Sequence, residues 1–160
     1  MELRKIFEYA LAREREGRDF FERSAKRMSH SAAAGIFRRL AEEEKQHISY
    51  IKWLIEGLDG QQDGSAPEPS QDNKFAKRAE EELLEQSITE SMVPDLAVLR
   101  TAYLIERDFV EFYSMAAKKF TGDAHKALMS LADWEKSHEE LFKALHDKAF
   151  EEYAGMPWGG

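Results

Sequence analysis

Two eight-residue stretches decide the fold and repeat each other, LAEEEKQH at residues 40–47 and LADWEKSH at residues 131–138. In each stretch a glutamate follows the leucine by four residues, and a histidine follows the glutamate by three. Residues at these spacings lie on one face of an α-helix. The same face continues to Ile51 after the first stretch and to Phe142 after the second. The pattern therefore predicts two amphipathic helices that each carry a glutamate and a histidine on the apolar face.

A second repeat precedes each of these stretches. The sequence ALAREREGRDFF from Ala10 aligns with AYLIERDFVEFY from Ala102, which places Glu14 opposite Glu106. Both glutamates have apolar neighbours three and four residues away, so both are expected to point into a helical core. The chain is thus predicted to be one helical hairpin repeated twice.

Four long helices can be drawn from these patterns. Their expected ranges are about 3–28, 31–58, 94–120 and 124–153, and no stretch shows the period-two alternation of a strand. Ser29 and Ser31 are candidate caps in the first tight turn, and Gly122 marks the second. Short turns make antiparallel hairpins. Residues 1–160 are therefore predicted to form one all-α four-helix bundle, with a long crossover at 59–93 and a tail at 154–160.

Composition divides the crossover and excludes several classes of protein. Residues 60–73 read GQQDGSAPEPSQDN, typical of a loop, whereas residues 74–87 predict a short extra helix. The absence of cysteine excludes disulfides and thiolate metal sites, and the net charge of −8 argues against nucleic-acid binding. Neither a membrane span nor a signal peptide is apparent in the sequence, which predicts a cytoplasmic protein.

The four helical faces bring four carboxylates and two imidazoles to the core. Buried carboxylates repel one another and cost several kcal/mol each unless they are neutralised. Two divalent cations would balance the four charges, and oxygen-rich ligation with one imidazole per metal suits iron or manganese. The predicted ligands, which are also the predicted catalytic residues, are Glu14, Glu44, His47, Glu106, Glu135 and His138.

These motifs resemble the ferritin-like superfamily, and the rubrerythrin branch in particular. The resemblance rests on the E-x-x-G-x-x-F-[YF] run at Glu14 and on the two L-A-x-x-E-x-x-H runs. It implies a site of two iron ions, with Glu44 and Glu135 as bridging ligands. The chain resembles the helical domain without the cysteine-ligated rubredoxin module. Phe109 stands where rubrerythrins have an additional glutamate, and the remaining six ligands equally resemble those of bacterioferritin.

Two functions follow from the resemblance. The first is a non-haem di-iron oxidoreductase that reduces hydrogen peroxide with electrons from an external donor. The alternative is a ferroxidase or iron-storage subunit with Fe²⁺ as substrate, and a third reading is a metal-binding bundle used for interaction. A homodimer or larger homo-oligomer is expected.

Tyr113 is interpreted as a packing residue, and three further histidines are interpreted as structural: His30, His125 and His146.

Overall fold

The computed structural model describes residues 2–67, 78–79, 81 and 90–157. Within these residues the chain is helical, without a strand, as predicted. We name the helices α1 (Glu2–Ala25), α2 (Ser31–Leu58), α3 (Leu96–Ala117) and α4 (Gly122–Ala154), and a 3₁₀ turn at Val93–Asp95 leads into α3. The extra helix predicted at 74–87 lies mostly outside the described residues, of which Arg78, Ala79 and Glu81 are helical. No described helix is long and apolar enough to cross a membrane.

The helices form two compact units. The first consists of Met1–Lys26 and Gly35–Gln71, and the second of Arg27–Ala34 and Asp72–Gly160. Thus α1 and most of α2 belong to the first unit, whereas α3, α4 and the turn between α1 and α2 belong to the second.

Helix bounds differ from the predicted ones at α1, at α3 and at the start of α4, which begins at Gly122 and not at about residue 124. Helix α1 ends at Ala25, three residues before Met28. Helix α3 starts at Leu96 and not at Pro94 as predicted, because Pro94 lies in the 3₁₀ turn that precedes the α-helix. At its other end the amide of Lys119 bonds to the carbonyl of Ala116 at 3.0 Å, which tightens the last turn and stops the α-helix.

Apolar side chains of α1 and α2 fill the core of the first unit. The rings of Phe21 and Phe37 meet edge to face with their centroids 5.8 Å apart. This arrangement is favourable because the positive edge of one ring faces the negative face of the other. Phe7, Leu40 and Ile51 are also buried. This packing sets the faces that carry Glu14 and Glu44.

Helix α2 ends in a hydrogen-bonded turn at Gly60. The amide of Gln61 bonds to the carbonyl of Glu56 at 2.9 Å, and the amide of Gly60 bonds to that of Gly57 at 3.2 Å. Together they form a Schellman motif, in which Gly60 has φ of 69°. Glycine suits this position because it has no Cβ to oppose a left-handed conformation.

The second unit contains a pair of hydrogen bonds to a buried aspartate that sequence patterns did not reveal. Asp95, only 5% exposed, accepts hydrogen bonds from the Ser29 amide at 3.2 Å and from the Ser29 hydroxyl at 3.2 Å. Ser29 is thus bound to the start of α3, and the Nδ1 atom of His30 accepts the Ala32 amide near the start of α2. The sequence predicted Ser29 and Ser31 as candidates for the capping hydrogen bond at the start of α2, and His30 provides it.

Candidate metal centre

Glu14, Glu44 and His47 form one buried cluster in the first unit. The Nδ1 atom of His47 lies 3.5 Å from Oε2 of Glu14 and 3.7 Å from Oε2 of Glu44. Both carboxylates are fully buried, and His47 is 2% exposed. Helix α1 contributes the first glutamate, and α2 contributes the other two residues from adjacent turns of one face.

Glu106, Glu135 and His138 form a matching cluster in the second unit. The Nδ1 atom of His138 lies 3.7 Å from Oε1 of Glu106 and 3.4 Å from Oε2 of Glu135. The glutamates are again fully buried, and His138 is 3% exposed. The sequence repeat is therefore also a structural repeat. In both clusters the histidine Nδ1 atom faces two carboxylates.

The donor atoms of each cluster fit a divalent cation. Charge-assisted hydrogen bonds are about 2.7–2.9 Å long, shorter than all four imidazole–carboxylate distances. By contrast, two donors bonded to one cation at about 2.1 Å are about 3.0 Å apart at a right angle and about 3.6 Å apart at 120°. In each cluster one ligand atom per residue can be chosen so that all lie within 4.8 Å of one another.

Charge supports the same conclusion. Each cluster holds two carboxylates and one imidazole in surroundings without solvent exposure. One divalent cation balances two carboxylates when the imidazole is neutral, and a neutral imidazole is the form that binds metal. Oxygen-rich donor sets of this kind suit iron and manganese better than structural zinc.

Aromatic side chains cover the α3 face next to its ligand. Tyr113 is fully buried and stacks on Phe109 with the ring centroids 6.1 Å apart and the planes at 12°. Phe109 lies three residues after Glu106 and is 5% exposed. This position therefore holds an apolar ring in a packed environment, where a carboxylate would need its own partner.

The other histidines serve local structure. The Nδ1 atom of His125 lies 2.8 Å from the carbonyl oxygen of Ala117, at the end of α3. His146 stacks on Phe150 and lies 3.2 Å from Asp147. With His30 next to the start of α2, all three occupy positions that agree with their interpretation from sequence.

Comparison with known proteins identifies the family. The chain matches the family described as Rubrerythrin over residues 5–146. Searches of curated proteins and of solved structures gave no significant match. The match spans all four helices up to His146 and includes both clusters, and members of this family are ferritin-like di-iron proteins. The chain is therefore an all-α, ferritin-like protein and belongs to the rubrerythrin family.

Proposed function

We propose that this chain is a di-iron oxidoreductase that reduces hydrogen peroxide. The observation that carries the proposal is the doubled cluster of two buried glutamates and one histidine, in a chain of the rubrerythrin family. In this proposal the six residues of the two clusters would be the ligands of two iron ions per chain. By the family pattern, Glu44 and Glu135 would each hold both ions, and Glu14 and Glu106 would each hold one.

Two ferrous ions bound there would supply one electron each, and these two electrons with two protons would convert one hydrogen peroxide molecule to two water molecules. The residues of this chain hold the ions and set the charge. Four carboxylates balance the diferrous state, and the diferric state carries two further positive charges that favour small anions such as hydroxide. His47 and His138 would bind the ions as neutral imidazoles, the form of histidine that coordinates metal.

The oxidised centre then needs two electrons from outside the cluster. The sequence has no cysteine, so its 160 residues provide no thiolates for an iron–sulfur or rubredoxin-type centre. We therefore propose an external electron donor for each turnover.

The test is rapid mixing of the diferrous protein with each oxidant. We expect peroxide to oxidise the centre at least about tenfold faster than dioxygen does at equal concentration, followed by absorbance of the ferric product. Glu14→Gln should abolish the fast phase, whereas Glu16→Gln, an exposed glutamate on the same helix, should leave it unchanged. Faster oxidation by dioxygen in the native protein would contradict the proposal.

The buried phenylalanine at position 109, where rubrerythrins have an additional glutamate, supports a second candidate function, the oxidation of Fe²⁺ for storage. With a buried ring at this position, the chain has the six ligands that also resemble the bacterioferritin set. A storage protein must hold a mineral core, so it requires many more than two iron ions per chain and a hollow assembly. Iron analysis after aerobic loading, combined with the mass in solution, separates the two functions.

A further inference from the structure

Helix α4 is longer than α2, its counterpart in the internal repeat. Both helices begin sixteen residues before their candidate histidine ligand, which is His47 in α2 and His138 in α4. However, α2 ends eleven residues after its histidine, whereas α4 continues for sixteen residues after His138. The family match also stops at residue 146. Residues 150–154 therefore form an extension of α4 that neither the repeat nor the family match includes.

The surface of this extension carries exposed aromatic rings. Phe150 is 52% exposed and Tyr153 is 38% exposed. The ring of Phe150 stacks on that of His146 with the centroids 6.2 Å apart and the planes at 14°, and its centroid also lies 6.2 Å from that of Tyr153. We call His146, Phe150 and Tyr153 the aromatic row. Aromatic side chains are enriched at the centres of protein interfaces, because they bury a large area at a small cost in conformational entropy.

Charge is balanced on the face of α4 that carries the aromatic row. Between residues 143 and 154 the ionisable acid and base on this face are Asp147 and Lys143, and the Nζ atom of Lys143 lies 2.7 Å from Oδ2 of Asp147. Their hydrogen bond raises the pKa of Lys143 and lowers that of Asp147, so both stay ionised at neutral pH and the two charges cancel. The whole chain, by contrast, has a net charge of −8, so two copies repel each other across most of their surface. A second copy can approach this face against less repulsion.

A two-fold axis near Phe150 makes the aromatic row complementary to itself. In a two-fold dimer a residue near the axis lies next to its own copy, and both subunits use the same surface. When the two α4 helices are antiparallel, Phe150 lies opposite Phe150 of the second copy. The Tyr153 end of each row then lies opposite the His146 end of the other, so aromatic rings meet on both sides of the axis.

We propose that the aromatic row is the contact surface of a two-fold dimer of this chain, with the two α4 helices antiparallel at Phe150. Association removes the exposed parts of Phe150 and Tyr153 from water, which stabilises the dimer. Stacking within each row orders the rings before association, so little side-chain freedom is lost. The face has no net charge to attract a charged partner, which favours a second copy as the occupant. Three rings per copy give a contact below about 1,200 Å², the size typical of reversible complexes.

The mass of the full-length protein in solution tests this contact. At about 100 µM protein, a concentration that suits a reversible dimer, light scattering should give twice the chain mass of 18.5 kDa. Phe150→Ser/Tyr153→Ser should lower the mass to that of one chain, because it removes both exposed rings without a change in charge. A native protein that keeps the mass of one chain up to about 1 mM would overturn the dimer.

The matched control is Leu104→Ser/Met115→Ser on α3. It also removes two exposed apolar side chains, which are 39% and 66% exposed, and it leaves the charge unchanged. Its mass should equal that of the native protein. Equal masses of the two variants, whether native or lowered, would overturn the assignment of the contact to the aromatic row.

A second test does not depend on loss of the dimer. The chain has no cysteine, so Phe150→Cys introduces a single thiol. A disulfide requires Cα atoms within about 7 Å, which a residue on the two-fold axis can satisfy with its own copy. With oxidised glutathione, Phe150→Cys should form the covalent dimer about tenfold faster than Met115→Cys, which places the thiol at a more exposed position outside the row. Equal rates, or faster cross-linking of Met115→Cys, would overturn the proposed axis.

Discussion

At the scale of single residues, the six predicted ligands are six of the most deeply buried polar side chains of the described chain. Helices normally place glutamate on the surface, and burial of four carboxylates opposes folding. In each cluster the histidine Nδ1 atom lies 3.4–3.7 Å from two carboxylates, the spacing of donors around a cation. The clusters thus oppose folding until metal binds.

Glu44→Gln should therefore change stability in opposite directions with and without metal. The metal-free variant should be more stable than the native protein by about 1–3 kcal/mol, because one buried charge is removed. The metal-loaded variant should be less stable than the metal-loaded native protein, because it loses a ligand. Thermal unfolding with and without Mn²⁺ measures both effects. Glu56→Gln, an exposed site on α2, is the control, and a metal-free variant less stable than the native protein would contradict the reasoning.

Asp95 is a second residue whose burial has a measurable consequence. Asp95→Ala should lower the free energy of unfolding by about 1–3 kcal/mol, because it removes two hydrogen bonds, from the amide and the hydroxyl of Ser29, each worth about 0.5–1.5 kcal/mol. Ser29→Ala removes only the hydroxyl bond and should cost less, about 0.5–1.5 kcal/mol. Urea unfolding of both variants checks this order. Equal losses would mean that the amide bond contributes nothing.

At the scale of the elements, turn chemistry sets where the helices end. Pro94 lacks an amide hydrogen and has a fixed φ, which suits the first turn of the 3₁₀ segment ahead of α3. At the end of α2, Gly60 adopts a positive φ and closes the Schellman motif. The apolar pattern predicted these helices, and the local hydrogen bonds decided their last residues.

Two glycines near the end of α2 should respond differently to alanine. Gly60→Ala should lower the free energy of unfolding by about 1–2 kcal/mol, because Cβ opposes the left-handed conformation. Gly57→Ala places a Cβ against Nε2 of Gln62, the far end of a flexible side chain that can move away. Loss of its bond to the Trp53 carbonyl is offset by the better helix propensity of alanine, about 1 kcal/mol. Denaturant unfolding should rank Gly60→Ala below Gly57→Ala, and the reverse order would contradict the motif.

At the scale of the whole molecule, the chain repeats one helical hairpin that carries a candidate metal cluster. The α1–α2 unit and the α3–α4 unit each contain two glutamates and one histidine in the same arrangement. The family match over residues 5–146 includes both copies. A chain built this way should bind metal in a fixed ratio.

We expect two Fe²⁺ ions per chain under anaerobic conditions. Binding should raise the unfolding free energy by about 2.7 kcal/mol per site at a hundredfold excess over the dissociation constant. Elemental analysis after desalting and calorimetric unfolding provide the two measurements. His138→Gln should lower the bound metal, whereas His146→Gln, outside the clusters, should not. Unchanged stoichiometry in His138→Gln would refute the ligand assignment.

The sequence by itself determined the helical class, the four main helices and the six candidate ligands. It could do so because helical periodicity and an internal repeat are local properties, and Glu-x-x-His on an apolar stripe has a definite chemical meaning. Position 109, for example, could be recognised from the repeat as an apolar residue one turn from Glu106.

The tertiary structure decided what depends on contacts between distant segments. Only folding brings Ser29 to Asp95, 66 positions later in the chain, so that the two side chains form a hydrogen bond. Likewise, Lys45 on α2 reaches Glu22 on α1, with its Nζ atom 3.3 Å from Oε1. Periodicity describes which face of a helix is buried, but the partner of a charged side chain is set by the packing of one helix on another.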